Sequence, residues 1–372
     1  MTVSPAINSV TVKGFKSIAS LKVDLRPINV LIGANGSGKS NFIGVFSLLH
    51  ETREGRLQEY VRRSDGAENL LHFGSKVTQE IEIQILFAQE SNRYSLTLRP
   101  TENDSLYVTN EEGYSLNGDK WGSRVLGYPP HPRVGREASV GDPRAEEFGD
   151  EVRRLLGEWR IYHVHDTSAS SPMRKTAKLN DNAFLRPDGA NLAAFLYLLQ
   201  EKHPDSYRLI RSTVQQVAPF FDDFLLKPDP LNEETIRLAW KHKNSDQYFG
   251  ASALSDGSLR FIVLAILFLQ PDRFLPSVIV VDEPELGLHP YAIALLSSVV
   301  KQASVKTQVI LSTQSSLLLD HFEPEDVLVA ERSHGTTQLK RLESSQLESW
   351  LEDYSLGQLW EKNELGGRPG QK

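Results

Sequence analysis

One glycine-rich segment, from Gly33 to Ser40, has the residue types and spacing of a phosphate-binding loop. It reads Gly-Ala-Asn-Gly-Ser-Gly-Lys-Ser and satisfies the pattern G-x-x-x-x-G-K-[ST] in full. In such a loop the glycines let backbone N–H groups converge on phosphate oxygens, and the helix that follows adds a favourable dipole. We expect Lys39 to reach the β- and γ-phosphates of ATP and the Ser40 hydroxyl to ligate Mg²⁺. The predicted nucleotide contacts in this segment are Asn35, Gly36, Ser37, Gly38, Lys39, Ser40 and Asn41.

Two adjacent carboxylates could supply the other groups that an ATP site needs, a cation ligand and a base. The apolar run 277–281 ends in Asp282 and Glu283. A strand this hydrophobic is buried on both faces, so its charged residues belong at the end where the sheet opens. If this strand shares a sheet with the strand before the phosphate loop, Asp282 comes close to Ser40 and can hold Mg²⁺ through water. Glu283 can then activate the attacking water, which predicts ATP hydrolysis.

A third segment, from Leu254 to Arg260, offers a second anion site. Ser255 and Gly257 stand at the start of a predicted helix, where hydroxyl and backbone N–H groups face outward. Because the chain already has one phosphate loop, a second anion site makes sense if it contacts the γ-phosphate held by a partner chain. A helix cap with no further role is the alternative interpretation.

Regular elements on both sides can position these segments. Strands are predicted at 7–12 and 28–32, before the phosphate loop, and a helix at 41–50 follows it. Further strands are predicted at 80–85, 94–98 and 106–109, an exposed loop at 120–150, and helices at 145–157, 189–202 and 204–218. Asp188 or Asn191 is a candidate cap of the second of these helices. The C-terminal part then alternates helix and strand at 258–269, 277–282, 288–302 and 307–312, which favours a buried parallel sheet flanked by helices.

The order and spacing of these motifs resemble the ABC ATPase superfamily. The phosphate loop, a Leu-Ser-x-Gly signature and the Asp-Glu pair are followed by Leu288 to Pro290 and by a polar switch position, Gln314, after the last core strand. The segment Gly14 to Ser17, Gly-Phe-Lys-Ser, is typical of the RecF, SMC and OLD branch rather than of transporter subunits. More closely, the chain resembles bacterial ATPases of the AAA_21 type, on segments that include Asp188 to Ala193 and Tyr354 to Trp360.

The resemblance implies an α/β fold, an ABC-ATPase head with a mixed central sheet flanked by helices, an antiparallel β-subdomain and a helical lobe insert. It implies a homodimer in which two heads sandwich two ATP molecules, with Ser255 and Gly257 of one chain touching the nucleotide on the other. The chain departs from many relatives at Gln314, where they have His. A glutamine can orient water but cannot titrate near neutral pH. Catalysis by Lys39, Glu283 and Gln314 is therefore expected to be slow.

The same resemblance divides the chain into four parts. Residues 1–75 would hold the N-terminal part of the ATPase core with the phosphate loop. Residues 76–250 would form the β-subdomain and the helical lobe insert. Residues 251–342 would form the C-terminal part of the core, with the signature, the carboxylates and the switch strand. Residues 343–372 would form a docked helical tail.

Two weaker patterns leave alternatives open. His163 and His165 lie on one face of a strand, before Asp166. A metal site there lacks further ligands nearby in the sequence, whereas the resemblance places this strand end at the Q-loop, which senses Mg·ATP. Basic and aromatic residues also interleave in the predicted loop, which suits nucleic-acid contact, although a solvated loop is the simpler interpretation. They are Lys120, Trp121, Arg124, Tyr128, Arg133 and Arg136.

The composition excludes several classes of protein. The 372 residues carry a net charge of −7, so the chain is not a uniformly basic nucleic-acid binder. The absence of cysteine excludes disulfides, thiolate zinc sites and thiol catalysis. No apolar run approaches the roughly 20 residues that cross a bilayer, and the first residues do not read as a secretion signal. We therefore expect a soluble, cytoplasmic protein without a membrane partner.

The favoured hypothesis is an ATP-dependent dimeric switch that acts with a partner in DNA repair or processing, or in antiphage defence. No Toprim domain or other nuclease motif is found, so a nuclease or Toprim-like effector would be a separate protein, and nucleic acid is a further candidate partner. Two alternatives stay open. One is a nucleotide-binding scaffold with negligible turnover, which Gln314 motivates. The other is a transporter ATPase subunit, which the long insert between phosphate loop and signature disfavours.

Overall fold

The computed structural model describes residues 6–87, 92–117, 120–125, 137–138, 140 and 147–366. Its strands in chain order are β1 (Ile7–Phe15), β2 (Ile18–Asp24), β3 (Ile28–Ile32), β4 (Ile81–Phe87), β5 (Asn92–Pro100), β6 (Leu106–Asn117), β7 (Lys120–Val125), β8 (Trp159–Tyr162), β9 (Ala177–Lys178), β10 (Phe221–Leu225), β11 (Pro228–Asp229), β12 (Asn232–Ile236), β13 (Ala239–His242), β14 (Tyr248–Gly250), β15 (Val278–Asp282), β16 (Gln308–Thr313), β17 (Val327–Ser333) and β18 (Thr336–Arg341).

The helices are α1 (Lys39–Arg53), α2 (Leu57–Arg63), α3 (Glu147–Gly157), α4 (Leu192–Lys202), α5 (Pro204–Val217), α6 (Asp256–Leu269), α7 (Pro290–Ala303), α8 (Ser316–Leu319), α9 (Ser344–Leu351) and α10 (Leu356–Glu361). In the described part of the chain, no helix has both the length and the apolar character needed to cross a membrane.

Two six-stranded sheets form the frame of the molecule. The first is antiparallel, in the order β2-β1-β4-β5-β6-β7, and the second is the central sheet, in the order β18-β17-β3-β16-β15-β8. In the central sheet, the five strands from β17 to β8 are parallel and only β18 is antiparallel to its neighbour. There are also two three-stranded sheets, β10-β13-β14 and β11-β12-β9. Their strands lie between α5 and α6 in the chain, except β9, which precedes α4. The predicted mixed central sheet and antiparallel sheets are thus confirmed.

The two faces of the central sheet pack against different partners. Val30 and Ile32 face one core cluster together with α4, α5, α6 and α7. Leu31 and Val280 face the other cluster, which contains α1 and the inner face of the antiparallel sheet. Because α1 lies between the two large sheets, the helix that follows the phosphate loop is held from both sides, and the loop is fixed at the end of β3.

Several local predictions were wrong, and the reason is tertiary pairing. The predicted loop at 120–150 begins with β7, which pairs with β6 as a hairpin although its sequence mixes charge and glycine. The second predicted helix, 189–202, begins at Leu192, and Asn191 makes no capping bond. Instead the Asn191 side chain binds the backbone of Arg186, Asp181 and Phe184, which ties the preceding loop together. β2, β18 and α2 were not predicted.

The C-terminal tail forms two short helices rather than one. α10 buries Leu356, Leu359 and Trp360 and contacts α8, so the predicted docking of the tail is confirmed for this helix. In α9 no residue is fully buried, and Trp350 stays 42% exposed. Docking therefore rests on the second helix.

A buried glutamine connects β1 with β16. Gln308 is only 2% exposed. Its Oε1 accepts a hydrogen bond from the Ile7 N–H at 3.0 Å, and its Nε2 donates to the carbonyl oxygens of Ile7 at 2.9 Å and Arg26 at 3.0 Å. One side chain thus satisfies three backbone groups near the junction of the two large sheets.

Replacing this side chain should destabilise the fold. Gln308→Ala leaves three backbone groups without their partner, and each such buried group costs about 1–3 kcal/mol. We expect the free energy of unfolding in urea to fall by about 3 kcal/mol or more. Gln302→Ala, on the exposed side of α7, is the matched control and should change it by less than about 0.5 kcal/mol. Equal effects of the two substitutions would contradict the structural role of Gln308.

Candidate functional site

The phosphate loop follows the fully buried strand β3 and leads directly into α1. Gly36 and Gly38 have φ angles of 77° and 106°, in the left-handed region that favours glycine. A Cβ added at Gly36 would meet open space, so this glycine leaves room above the loop. The backbone is therefore shaped as a shallow cradle at the N-terminus of a helix, which is a favourable place for anions.

The strand β18, which forms a hairpin with β17, packs against the cradle and binds its backbone. The Thr337 hydroxyl donates to the carbonyl oxygen of Ser37 at 3.0 Å and lies 2.6 Å from the Ser17 Oγ. Asn41 Nδ2 in turn donates to the same Ser17 hydroxyl. A Cβ at Gly38 would collide with the Thr337 side chain. Gly38 is thus required both by its backbone conformation and by close packing.

The polar groups of the cradle fit phosphate. The Lys39 ammonium group donates to the carbonyl oxygens of its own loop, Gly33 at 2.5 Å and Ala34 at 3.1 Å. The Ser37 hydroxyl is buried and has no hydrogen-bond partner among the described residues. Ser40, in the first turn of α1, is exposed. A lysine that folds back on its loop, an unpaired hydroxyl and an open helix terminus together suit a bound triphosphate with its cation.

Three carboxylates from neighbouring loops act on Lys39. Burial lowers the pKa of its ammonium group, and the negative charges of Glu283, Asp282 and Glu285 oppose this shift. The predicted meeting of the phosphate loop and the paired acids therefore occurs within one chain. It follows from the strand order, because β3 and β15 are separated only by β16 in the same parallel sheet.

Glu283 is held in an unusual backbone conformation beside Gln314. Its φ angle of 43° is left-handed, which is rare and costly for a residue with a side chain. Its N–H donates to the Ser312 carbonyl oxygen at 2.8 Å. Gln314 Nε2 donates to Glu283 Oε1. The structure thus brings together Lys39, Asp282, Glu283 and Gln314.

Glu285 is a further carboxylate at this site that the sequence reasoning did not single out. Its Oε1 accepts hydrogen bonds from the Thr313 hydroxyl and, at 3.3 Å, from the Gln314 N–H. Its Oε2 is buried without a partner among the described residues. Burial raises the pKa of Glu285 above its usual 4.5, the bonds from Thr313 and Gln314 oppose the rise, and the charge of Glu283 adds to it. The sequence signal that could have identified Glu285 is its position, two residues after Glu283.

This raised pKa predicts a pH-dependent stability. A carboxyl group whose pKa is higher in the folded protein stabilises it fully below the unfolded pKa, and this contribution is lost as pH rises through the folded pKa. Glu285→Gln keeps an oxygen acceptor for Thr313 and Gln314 but cannot ionise. We expect the variant to be more stable than the wild type at pH 8 in urea unfolding, with the difference shrinking as pH falls toward 4.5. A difference that stays constant with pH would contradict the assignment.

The signature segment lies on the other side of the carboxylates. Ser255 is exposed and caps α6, accepting a hydrogen bond from the Ser258 N–H at 3.1 Å. A Cβ at Gly257 would collide with the carbonyl oxygen of Gly287. Both residues thus have a structural role within the chain. The cradle and the carboxylates form one group, and Ser255 and Gly257 stand apart from it.

A buried arginine ties the signature segment to the loop after β8. Arg174 donates to the carbonyl oxygens of Thr167 at 2.9 Å and Leu254 at 3.2 Å. It also forms an ion pair with Asp256 at 2.9 Å, in which the arginine side chain is 7% exposed. The segment that precedes α6 therefore has a fixed position relative to the edge of the central sheet.

Arg260, on α6, binds two loops at once. Its guanidinium group donates to the carbonyl oxygens of Val164 at 2.8 Å, His165 at 3.1 Å and Leu286. Sequence reasoning did not assign it a role. A signal was present, since an arginine within the apolar helix 259–269 needs hydrogen-bond partners when it is buried.

The two histidines flank the carboxylates. His163 and His165 follow β8, which pairs in parallel with β15, so they emerge beside Asp282. One ligand atom of each of the three residues lies within 4.8 Å of the other two. The protein around the exposed His163 desolvates it and lowers the pKa of its imidazole, while the Asp282 carboxylate opposes this shift. The strand end thus lies beside the site, as the Q-loop interpretation requires. Asp166 instead accepts hydrogen bonds from Ser168.

The basic and aromatic residues proposed for nucleic-acid contact lie partly outside the residues that the structure describes. Lys120, Trp121 and Arg124 belong to β7. Tyr128, Arg133 and Arg136 lie outside the described residues. Nucleic-acid contact therefore stays a prediction.

Solved structures with a similar fold are head domains of SMC proteins. An Smc head bound to the C-terminal winged-helix domain of ScpA matches with a TM-score of 0.61 and 15% identity, covering 93% of this chain and 100% of that chain. An Smc head with an extended coiled coil, bound to the C-terminal domain of ScpA from Pyrococcus furiosus, matches with a TM-score of 0.59 and 13% identity, covering 94% and 99%. Among curated proteins no match was found. These similarities define the fold.

The fold and the motifs together define an ABC-type P-loop ATPase of the RecF and SMC branch. The family profile AAA_21, described as "AAA domain, putative AbiEii toxin, Type IV TA system", matches residues 28–320. The chain belongs to this family.

Proposed function

We propose that the protein hydrolyses ATP with Mg²⁺ or another divalent cation and that two chains enclose the nucleotides between them. The observation that carries this proposal is the group formed by Lys39, Asp282, Glu283 and Gln314 at one edge of the central sheet. Membership of the AAA_21 family supports nucleotide binding.

Each residue of the group has a role in this proposal. The backbone N–H groups of 35–41 and the Lys39 ammonium group bind the phosphates, and Ser40 and Asp282 hold the cation, which when bound neutralises phosphate charge. Glu283 accepts the proton of the attacking water. Gln314 donates to Glu283 and holds its carboxylate in place. Because a glutamine cannot titrate near neutral pH, Gln314 cannot itself take up a proton, which supports slow turnover.

The separation of cradle and signature supports a composite site between two chains. The signature segment contacts residues after β15 and β8, namely Gly287, Val164 and His165, whereas the cradle follows β3. Three strand spacings of roughly 4.8 Å separate β3 from β8, or about 14 Å. One chain therefore holds the two anion sites side by side, and Ser255 of one chain would contact a nucleotide bound to the other.

The surface around the carboxylates also suits a second copy of the chain. Leu286 is 48% exposed, Tyr291 53% and Leu317 48%, and all three lie in segments that follow β15 or β16. Large apolar side chains that surround a polar site at one edge of a sheet are suited to burial in an interface. This arrangement supports dimerisation across the nucleotide-binding edge.

Slowing hydrolysis should trap the dimer. Glu283→Gln removes the general base, which typically contributes about 10²–10⁴ to the rate, but leaves the cradle intact. With Mg²⁺ and ATP we expect this variant to double its mass in light scattering after size-exclusion chromatography, and phosphate release to fall by that factor. Lys39→Ala should stay monomeric and inactive. A Glu283→Gln protein that binds ATP and stays monomeric would count against the sandwich, and wild-type turnover equal to Lys39→Ala would favour the scaffold.

Mixing two inactive variants tests the composite site directly. Lys39→Ala disables the phosphate-binding cradle and Ser255→Arg disables the signature segment. Neither variant alone can therefore form an intact ATP site. A mixed dimer has one site built from the cradle of one chain and the signature of the other. Phosphate release should recover on mixing, to at most about one half of the wild-type rate, because Lys39→Ala alone stays monomeric and each mixed dimer has one intact site of two. Failure to recover, with both proteins folded, would argue for sites within single chains.

We further propose that this dimerisation acts on a separate protein, in DNA repair or processing or in antiphage defence. The similar Smc heads are bound to domains of ScpA, so a fold of this kind can carry a protein partner. We also propose that the chain divides into the four parts predicted from the sequence, with boundaries after residues 75, 250 and 342.

A further inference from the structure

Three potential metal ligands converge beside the phosphate loop without bonding to one another. The ligand atoms of His163, His165 and Asp282 lie within 4.8 Å of each other. The two imidazole rings are 6.3 Å apart between centroids and tilted by 30°. In the described part of the chain, none of these three side chains has a hydrogen-bond partner. Two imidazoles and a carboxylate whose ligand atoms lie this close together could share one ion.

The spacing and the donor types suit a transition metal. Metal–nitrogen and metal–oxygen bonds of about 2.1 Å place neighbouring ligand atoms about 3 Å apart and opposite ones about 4.2 Å apart. Small side-chain rotations would bring the ligand atoms of the three residues from the observed spacing to these distances. Imidazole favours first-row transition metals, whereas Mg²⁺ favours carboxylate, phosphate and water oxygens. Two histidines beside a carboxylate therefore shift the preference of the site away from Mg²⁺.

The backbone that carries the histidines is fixed in advance. Arg260 donates to the carbonyl oxygens of Val164, at 2.8 Å, and His165, at 3.1 Å. Val164 is buried, whereas His163 and His165, which precede and follow it in the chain, are exposed. A ligand loop held by a buried guanidinium group loses little entropy when it binds a metal ion, so the site is preorganised.

We infer that His163, His165 and Asp282 bind a divalent first-row transition-metal ion and that this ion accompanies the nucleotide in preference to Mg²⁺. Mn²⁺ serves as the spectroscopic probe of this site. The inference deepens the proposed function, because Asp282 belongs to both. It does not depend on hydrolysis, since all three ligands are present in the chain before nucleotide binds. The remaining coordination positions are open to water or to phosphate oxygens.

Electron paramagnetic resonance of Mn²⁺ bound to the full chain tests this directly. Without nucleotide, the wild type should bind Mn²⁺ and show magnetic coupling to imidazole ¹⁴N, which an all-oxygen site cannot give. The double variant His163→Gln and His165→Gln should lose this coupling and bind Mn²⁺ at least about tenfold more weakly. The Mg²⁺ concentration that displaces half of the Mn²⁺ should fall by a similar factor.

Two control variants complete the experiment. His242→Gln, on β13 in the small three-stranded sheet, removes a histidine elsewhere and should leave Mn²⁺ binding and its ¹⁴N coupling unchanged. Lys39→Ala should abolish ATP binding but retain Mn²⁺. Thermal melting monitored by circular dichroism verifies that each variant is folded, and since His163 and His165 are exposed, their replacement should not lower the melting temperature.

The outcomes separate the two proposals. Absence of ¹⁴N coupling in the wild type, or equal Mn²⁺ affinity in the double variant, overturns the inference even if Mg·ATP is hydrolysed. Histidine-dependent Mn²⁺ binding without any affinity for ATP upholds the metal site and overturns the proposed function, and with it the place of the ion beside the nucleotide. Loss of ¹⁴N coupling in the double variant, with ATP binding retained, supports both.

Discussion

The parallel order β3-β16-β15-β8 is the constraint on which the site depends. Carboxyl ends of parallel strands lie at the same edge of a sheet, so four segments that are far apart in the chain meet there. They are the phosphate loop, the switch residue Gln314, the paired acids and the two histidines. Burial of both faces, against α1 on one side and α4 to α7 on the other, keeps this edge in place. The polar groups are confined to the edge because both faces are apolar.

Sequence reasoning succeeded where chemistry and periodicity agree. The phosphate loop and the acid pair were recognisable because each follows a short apolar strand, and their meeting follows from a shared sheet. It failed where a contact joins distant segments. Thr337 binds the cradle from a hairpin strand that has no distinctive pattern, and burial in the folded chain is the largest cause of the raised pKa of Glu285. Asn191, one of two candidate caps of α4, makes no capping bond and binds the preceding loop instead.

The signature shows how packing and function can require the same residue. Gly257 needs to be glycine because the Gly287 carbonyl group lies where a side chain would be. Ser255 is needed as a cap of α6. A substitution at either position would therefore change the stability of this chain as well as any contact with a partner's nucleotide. The variant Ser255→Arg is informative only together with a folding control, since loss of the cap alone costs about 1 kcal/mol.

The guanidinium group of Arg260 holds carbonyl oxygens from the histidine loop and from the loop after the acids, while its own helix begins at the signature. These three segments cannot shift independently, because a displacement of about 1 Å would break hydrogen bonds of a buried charge, each worth about 1.5–3 kcal/mol. A displacement of the solvent-accessible start of α6, at Asp256, is consequently transmitted to the loops that carry the histidines and the paired acids. The head has a route for communication that passes through its backbone rather than through the bound ligand.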